Sequence, residues 1–183
     1  MKKLAAALAL ILPLLALPSA AFPQVPASPP GIRNFTPVDS TVACAGAVTP
    51  EAAADVGKAG FVSIVNLRTA GEEGVDLSAI EKAAAQAGLR YFHVPFSSSN
   101  PTPEPIDRFL EIARDRSNEP MLIYCASGGR AAMLLAIKRV MIDLWSVEKA
   151  MAEVPSLSEG MRPAVREFGL AYLKQHGKAV PGK

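Results

Sequence analysis

Short apolar runs alternate with helix-like segments along most of the chain, and this alternation constrains the fold more than any other feature. The apolar runs are rich in β-branched and aromatic residues, and we interpret four of them as strands, at residues 41–44, 61–67, 91–96 and 121–124. Strands that are separated by helices pair in parallel through right-handed crossovers, and the helices then cover both faces of the sheet. The sequence therefore predicts an α/β fold with a parallel sheet in the middle of three layers.

Helix-start and helix-stop signals mark the intervening segments. Thr49, Pro50 and Glu51 have the pattern of an N-cap, an N1 proline and a first-turn acid, while Gly60 and Gly88 are placed to end helices. The predicted helices cover residues 49–60, 77–87, 103–116, 146–153 and 159–175, with a further amphipathic helix that includes Met133 and Leu144.

The N-terminal segment, residues 1–21, has the pattern of a secretory signal peptide. Two lysines precede an Ala/Leu-rich run over residues 4–17, and small residues then lead to Ala21. The run is shorter than the roughly 20 residues that span a bilayer, which favours cleavage near Ala21 over retention as a membrane anchor. We therefore expect a periplasmic or secreted protein with no membrane attachment after cleavage.

Composition divides the rest of the chain and excludes several classes of function. Residues 22–37 are proline-rich and are predicted to be a mobile lead-in, followed by one domain over residues 38–177 and a tail over residues 178–183. The chain has only two cysteines and two histidines, so no disulfide scaffold, metal site or cofactor is expected. The formal net charge of +2 falls to zero without the two leader lysines, so nothing indicates a nucleic-acid partner.

The most informative motif follows the fourth predicted strand, where ligands of parallel sheets bind. Cys125 ends the strand, Arg130 opens a helix, and the loop between them consists of Ala126, Ser127, Gly128 and Gly129. Successive loop amides and a helix N-terminus form an anion cradle, whose positive field favours the thiolate form of a cysteine. The planar guanidinium of Arg130 suits two oxygens of a phosphate or sulfate. A buried structural cysteine before an ordinary turn is the alternative interpretation.

The ordered set of motifs resembles a bacterial family, the beta-lactamase-hydrolase-like phosphatase domains, which are related to dual-specificity and protein tyrosine phosphatases. The matching segments lie within residues 38–140 and are Gly60-Phe61, Asn66-Leu67-Arg68, Glu72-Glu73, His93-Val94-Pro95 and the loop from Tyr124 to Arg130. The resemblance implies a cysteine-phosphatase-like fold and a phosphocysteine intermediate. It also implies that Cys125 is the nucleophile, that Arg130 is the oxyanion clamp, and that the substrate is a phosphorylated small molecule or protein.

Three departures from the phosphatase pattern leave two other functions open. Four residues separate Cys125 from Arg130 where the common phosphatase loop has five, and Ala131 stands where a serine or threonine usually follows the arginine. The usual general-acid aspartate is absent, and Phe96 and residues 97–99 occupy its place. The short loop favours a rhodanese-like sulfurtransferase that carries a Cys125 persulfide. The missing aspartate and Ala131 favour a catalytically inactive anion-binding module.

Further residues lie where the ends of the predicted strands meet, and each has two interpretations. Glu72 and Glu73 are substitute general acids or surface glutamates. Arg68 is a second anion contact or half of a structural ion pair. Cys44 is either a redox partner that forms a disulfide with Cys125 or a merely buried cysteine.

Three further polar residues have simpler interpretations. His93 is predicted to be a histidine of the sheet that takes no part in catalysis. Lys138 and Arg139 are predicted to lie on a solvated helix face.

Overall fold

A five-stranded sheet forms the centre of the molecule, whose computed structural model describes residues 29–177. The strands are β1 (Thr36–Pro37), β2 (Val42–Ala45), β3 (Ser63–Asn66), β4 (Arg90–His93) and β5 (Met121–Tyr124). Their order across the sheet is β1-β2-β5-β3-β4, and all neighbours are parallel except β1 and β2. The predicted three-layer α/β fold is confirmed, with one short antiparallel strand that the sequence pattern did not reveal.

Helices pack against both faces of the sheet. A 3₁₀ turn at Pro50–Ala52 leads into α1, and a second 3₁₀ turn at Arg116–Asn118 precedes β5. The helices are α1 (Ala53–Lys58), α2 (Leu77–Gln86), α3 (Glu104–Arg114), α4 (Gly129–Met141), α5 (Val147–Met151), α6 (Pro155–Ser158) and α7 (Pro163–His176). Helices α1 and α2 cover one face and α3 to α7 the other. No helix within residues 29–177 has the length and apolar character needed to cross a bilayer.

The strands supply side chains to two hydrophobic clusters, one on each face of the sheet. Ile64 and Leu122 face α1 and α2, whereas their neighbours Val65 and Ile123 face the larger helical layer. Both clusters are fully buried at these positions, which explains why β2 and β5 are continuously apolar rather than alternating. Helix α4 lies within the larger layer, where its residues from Gly129 to Val140 are all buried.

The lead-in predicted for residues 22–37 is wrong over its second half, because the folded domain begins before residue 38. Ile32 is buried and forms an isolated bridge with Val48, and Thr36 pairs with Cys44 across the β1–β2 ladder. Strand β1 covers the edge of the sheet that β2 would otherwise expose, and Pro37 is tolerated there because edge strands need fewer donors. The predicted signal peptide and the tail at residues 178–183 lie outside the described residues.

The prediction that Lys138 and Arg139 lie on a solvated helix face is also wrong. Both side chains are buried at the C-terminal end of α4, and both bind Asp143. Arg139 additionally donates to Glu153 at 2.9 Å and to Asp39 at 2.6 Å. The physical reason is that neighbouring segments enclose this end of α4, and a buried charge requires a charged partner.

Candidate active site

Cys125 lies directly after β5, at the carboxyl edge of the central parallel strands. Its backbone N–H donates to the Ala45 carbonyl at 3.3 Å, which continues the β2–β5 pairing by one residue. The Gly128 N–H donates to the Cys125 Sγ at 3.1 Å, so the loop curls back over the thiol. The residue is buried, yet it lines a cavity of about 410 Å³, which we call the Cys125 cavity.

The two loop glycines are needed for backbone conformation and for close packing. Gly128 has a φ of 106°, in the region that favours glycine, and a Cβ there would lie 2.5 Å from Leu157 Cδ2. A Cβ on Gly129 would lie 2.8 Å from the Cα of Met161. The segment from α6 to α7 therefore packs directly on the loop, and a larger residue at either glycine would displace it.

Helix α4 begins at Gly129, immediately after the loop. The first N–H groups of a helix have no carbonyl partner within that helix, and together with the helix dipole they attract anions. Because Gly129 and Arg130 also line the Cys125 cavity, this end of α4 faces the thiol.

Arg130 is fixed in place by hydrogen bonds to three segments of the chain. Its guanidinium donates to both oxygens of Glu72, at 2.7 and 2.8 Å. It also donates to the carbonyls of Leu67 at 3.0 Å and Phe96 at 2.8 Å, which follow β3 and β4. Although burial opposes the charge, these bonds to Glu72 raise the pKa of Arg130, so the guanidinium remains protonated.

Glu72 is held as a carboxylate, which argues against the interpretation that it is a substitute general acid. Burial raises its pKa, but hydrogen bonds from Arg130 and from the Thr69 N–H outweigh that effect and lower the pKa to about 2. A group with that pKa carries no proton at neutral pH. The geometry favours a positioning role, in which Glu72 orients Arg130. Glu73, the second predicted acid, is exposed and is not among the residues that line the Cys125 cavity.

Of the two interpretations of Arg68, the structure favours the ion pair. Its Nε lies 3.4 Å from Glu72 Oε2, and its guanidinium also donates to the Glu73 carbonyl. The side chain borders neighbouring cavities and not the Cys125 cavity. Arg68 therefore helps to neutralise Glu72 beside Arg130. The Arg68 carbonyl accepts a hydrogen bond from His93 Nε2 at 2.8 Å, and His93 does not line the Cys125 cavity.

The loop after β4 brings hydroxyl groups to the Cys125 cavity and no carboxylate. Ser97, Ser98 and Ser99 all line it. The Ser97 Oγ accepts hydrogen bonds from the backbone N–H groups of Ser99, at 3.3 Å, and Asn100, at 3.1 Å, which fixes the turn. Among the described residues that line this cavity, Glu72 is the one carboxylate.

Cys44 lies on β2 and faces the same hydrophobic cluster as Cys125, but the two thiols are free. Cys44 is level with Ile123, two residues before Cys125. With strands about 4.8 Å apart and a rise of about 3.3 Å per residue, such a diagonal pair has Cα atoms about 8 Å apart. A disulfide spans at most about 7 Å without backbone movement. Burial raises the pKa of Cys44, so the structure favours the merely buried cysteine over the redox partner.

Two arginines that sequence analysis did not single out line the Cys125 cavity. Arg33 belongs to the segment before β1, and Arg162 directly precedes α7. Neither lies in a recognisable motif, and residues 33, 125 and 162 are far apart in the sequence. Only the folded chain brings these side chains together around Cys125.

Comparison with known proteins assigns the chain to a family. The family model of the beta-lactamase hydrolase-like protein, phosphatase-like domain, matches residues 33–142, which is more than half of the chain. The chain belongs to this family. The resemblance inferred from the ordered motifs is thereby confirmed, and the matched region begins at Arg33 rather than at residue 38.

A curated beta-lactamase hydrolase-like protein matches part of the chain in sequence. The beta-lactamase hydrolase-like protein of Xylella fastidiosa (strain Temecula1 / ATCC 700964) is 40% identical over 85 residues, which cover 44% of this chain and 19% of that protein. The matched segment thus spans only about a fifth of this curated relative.

Two solved structures share the fold. The DUF442 protein of Shewanella putrefaciens CN-32 has a TM-score of 0.69 at 17% identity, and the match covers 81% of this chain and 96% of that one. TpbA of P. aeruginosa, in complex with pTyr, has a TM-score of 0.60 at 18% identity, with 90% and 94% of the two chains covered.

Proposed function

We propose that this phosphatase-like domain hydrolyses phosphate monoesters through a covalent intermediate on Cys125. The observation that carries the proposal is the joint position of the thiol and Arg130. The Cys125 Sγ accepts a hydrogen bond from the Gly128 N–H, and the buried Arg130 guanidinium lines the same cavity. Membership of a phosphatase-like family and the fold shared with a protein that binds pTyr support this proposal.

The proposed reaction has two steps at phosphorus. In the first, the Cys125 thiolate attacks the phosphorus atom, an S–P bond forms, and the P–O bond to the leaving group breaks. In the second, water attacks phosphorus, the S–P bond breaks, and phosphate and the thiolate are released. Loop amides and Arg130 stabilise the charge on the three equatorial oxygens during both displacements.

The lining of the cavity also defines the class of leaving group. Glu72 is the one carboxylate among the described lining residues, and Arg130 keeps it deprotonated. The departing oxygen therefore takes its proton from water. This favours aryl esters, whose leaving groups are weak bases, over alkyl esters.

A sulfurtransferase is the second candidate, because only four residues separate Cys125 from Arg130. In that reaction the Cys125 thiolate takes the outer sulfur of thiosulfate, sulfite leaves, and cyanide then removes the sulfur as thiocyanate. A single sulfur atom needs less space in the loop than a phosphoryl group.

One paired assay tests these functions. Phosphate release from para-nitrophenyl phosphate is compared with thiocyanate formation from thiosulfate and cyanide, using the intact protein and the variants Cys125→Ser and Cys44→Ser. The proposal expects phosphate release that Cys125→Ser abolishes and Cys44→Ser retains. Thiocyanate formation without phosphate release would establish the sulfurtransferase instead, and failure of both reactions would indicate an anion-binding module.

We further propose that residues 1–21 direct export and that the mature protein is periplasmic or secreted. The support is the sequence pattern alone, a short apolar run between two lysines and Ala21. Expression of the full chain in a Gram-negative host, followed by fractionation and N-terminal sequencing, tests it. A protein that begins after Ala21 in the periplasm is expected, whereas an intact N-terminus in the cytoplasm would contradict export.

A further inference from the structure

Two cations of the Cys125 cavity have no carboxylate partner in the described part of the chain. Arg33 and Arg162 are exposed and line the cavity, and neither takes part in an ion pair within residues 29–177. The one lining carboxylate, Glu72, is already paired with Arg130 and Arg68. Arg33 and Arg162 therefore give the cavity two positive charges beyond the Arg130–Glu72 pair beside the Cys125 loop, residues 125–130.

Arg33 stands on a segment that is hydrogen-bonded to the loop. Its backbone N–H donates to the Ala47 carbonyl at 2.9 Å, and the Ala47 N–H donates to the Ala126 carbonyl at 3.1 Å. The next residue, Asn34, donates from its side chain to the Ser127 carbonyl at 3.0 Å. The Arg33 backbone is thus held in a fixed position relative to the loop, while its exposed side chain lines the cavity.

Arg162 stands on a segment that packs against the opposite end of the loop. Its neighbours Met161 and Gly160 approach Gly129 so closely that a Cβ there would lie 2.8 and 3.3 Å from their backbone atoms. Arg162 directly precedes α7, and its carbonyl accepts from the Arg166 N–H at 3.2 Å. The two arginines therefore approach the cavity from separate segments, each anchored to the Cys125 loop.

We infer that Arg33 and Arg162 form a second anion subsite, so that the substrate is a compact phosphate monoester with at least one further carboxylate or phosphate. This inference rests on the proposed function, because it assumes that the scissile phosphate occupies the Cys125 loop. Guanidinium groups bind carboxylates and phosphates through charge-assisted hydrogen bonds. A cavity of about 410 Å³ fits a small ligand of this class.

The test uses non-hydrolysable analogues, so that binding is measured apart from turnover. Phenylphosphonate with two meta carboxylates is compared, by calorimetry, with the neutral analogue of similar size that carries two meta carboxamides. The intact protein and the variants Arg33→Gln, Arg162→Gln and Arg166→Gln are titrated with both. Arg166 is the matched control, since it is exposed on the first turns of α7 and does not line the cavity.

The intact protein is expected to bind the dicarboxylate about tenfold more tightly than the dicarboxamide, as a charge-assisted hydrogen bond would produce. The preference should fall in Arg33→Gln and in Arg162→Gln, should persist in Arg166→Gln, and should weaken with salt. Equal binding of the two analogues, or a preference that both cavity variants retain, would overturn the inference.

Hydrolysis of the corresponding phosphates separates this inference from the proposed function. If the dicarboxylate preference depends on Arg33 and Arg162 but no phosphate ester is hydrolysed, the subsite stands and the phosphatase proposal fails. If phenyl phosphate is hydrolysed but the charged and neutral phosphonates bind equally, the phosphatase proposal stands and the subsite is rejected.

Discussion

Glu72 fixes the orientation of the Arg130 guanidinium in the Cys125 cavity. Both carboxylate oxygens of Glu72 accept hydrogen bonds from Arg130, and the carbonyls of Leu67 and Phe96 are the other two acceptors of that guanidinium. A guanidinium held among these four acceptors does not have to reorganise when charge develops on a transferring phosphoryl group. Glu72 therefore acts through Arg130.

Replacing Glu72 with glutamine tests this positioning role. Glu72→Gln removes the charge and one of the two acceptors, so Arg130 is held less firmly, and we expect turnover of para-nitrophenyl phosphate to fall by up to about a hundredfold. The loss should be similar for aryl phosphates with better and poorer leaving groups. Glu73→Gln is the control, because the Glu73 side chain is exposed, and it should behave like the intact protein.

A general-acid role for Glu72 would make the loss of turnover in Glu72→Gln depend on the leaving group. A general acid matters most when the departing oxygen is strongly basic. A defect in Glu72→Gln that grows steadily with leaving-group pKa, and that vanishes for para-nitrophenyl phosphate, would contradict the positioning role.

At the residue scale, a local motif or a predicted strand end is needed for a site residue to be recognisable in the sequence. Cys125 and Arg130 could be identified because the strand, loop and helix that carry them are contiguous. Arg33 and Arg162 could not, because no local pattern relates them to Cys125. The ion pair between Glu72 and Arg130 could not be predicted either, because ion pairs between distant segments depend on how the strand ends come together.

At the scale of the elements, the Cys125 loop is enclosed by the segments that pack on it. Gly128 combines a positive φ with contact against Leu157 of α6, and Gly129 contacts the chain before α7. The sequence pattern predicted both glycines in the loop between a strand and a helix. It did not predict α6, because the four residues Pro155–Ser158 are too few for a periodic pattern.

Substitution of Gly128 by alanine is expected to disturb the loop in two ways. The positive φ costs about 1 kcal/mol for a residue with a Cβ, and overpacking against Leu157 adds about 1–3 kcal/mol. Urea denaturation should show a loss of stability for Gly128→Ala that exceeds the loss for Gly74→Ala.

Gly74 is the matched control because its φ is 70° and a Cβ there would meet no atom within 4 Å. Adding Leu157→Ala to Gly128→Ala should remove the loss of stability that comes from overpacking and leave the loss that comes from the positive φ. If Gly128→Ala and Gly74→Ala prove equally stable, the contact with Leu157 does not restrict this position.

At the scale of the whole molecule, α4 connects the cavity to a buried ionic cluster. Its first turn carries Arg130, and its last turn carries Lys138 and Arg139, which bind Asp143, Glu153 and Asp39. The strand and helix order, and hence the layers, followed from periodicity. The burial of the last turn of α4 could not be predicted from periodicity, because the segments that enclose this turn do so only in the folded chain.

Removal of one charge from this cluster is expected to destabilise the fold. Arg139→Met removes a buried cation from the partly exposed carboxylates of Glu153, Asp39 and Asp143. Breaking a buried ion pair costs about 3–5 kcal/mol, which is the upper bound expected for this change. Arg108→Met is the control, because its pair with Glu111 is exposed and such pairs contribute at most about 1 kcal/mol. Urea denaturation midpoints measure the difference, and equal losses in the two variants would contradict a stabilising cluster.

The same cluster has an expected pH dependence. Burial raises the pKa of Asp143, but hydrogen bonds from Arg139 and Lys138 outweigh it and lower the pKa below the usual aspartate range. A group with a depressed pKa in the folded state stabilises the fold above its unfolded pKa of about 3.9 and loses that contribution as the pH falls further. The stability difference between Arg139→Met and the intact protein should therefore narrow in acid.

Trapping of the phosphocysteine intermediate tests directly whether Cys125 is the nucleophile. The protein is mixed with para-nitrophenyl phosphate, quenched rapidly, digested, and analysed by mass spectrometry for a phosphoryl group on a cysteine. We expect the label on the peptide that contains Cys125, none on the peptide that contains Cys44, and none in Cys125→Ser. Phosphate release that continues unchanged in Cys125→Ser, or a label on another residue, would contradict the assignment of Cys125 as the nucleophile.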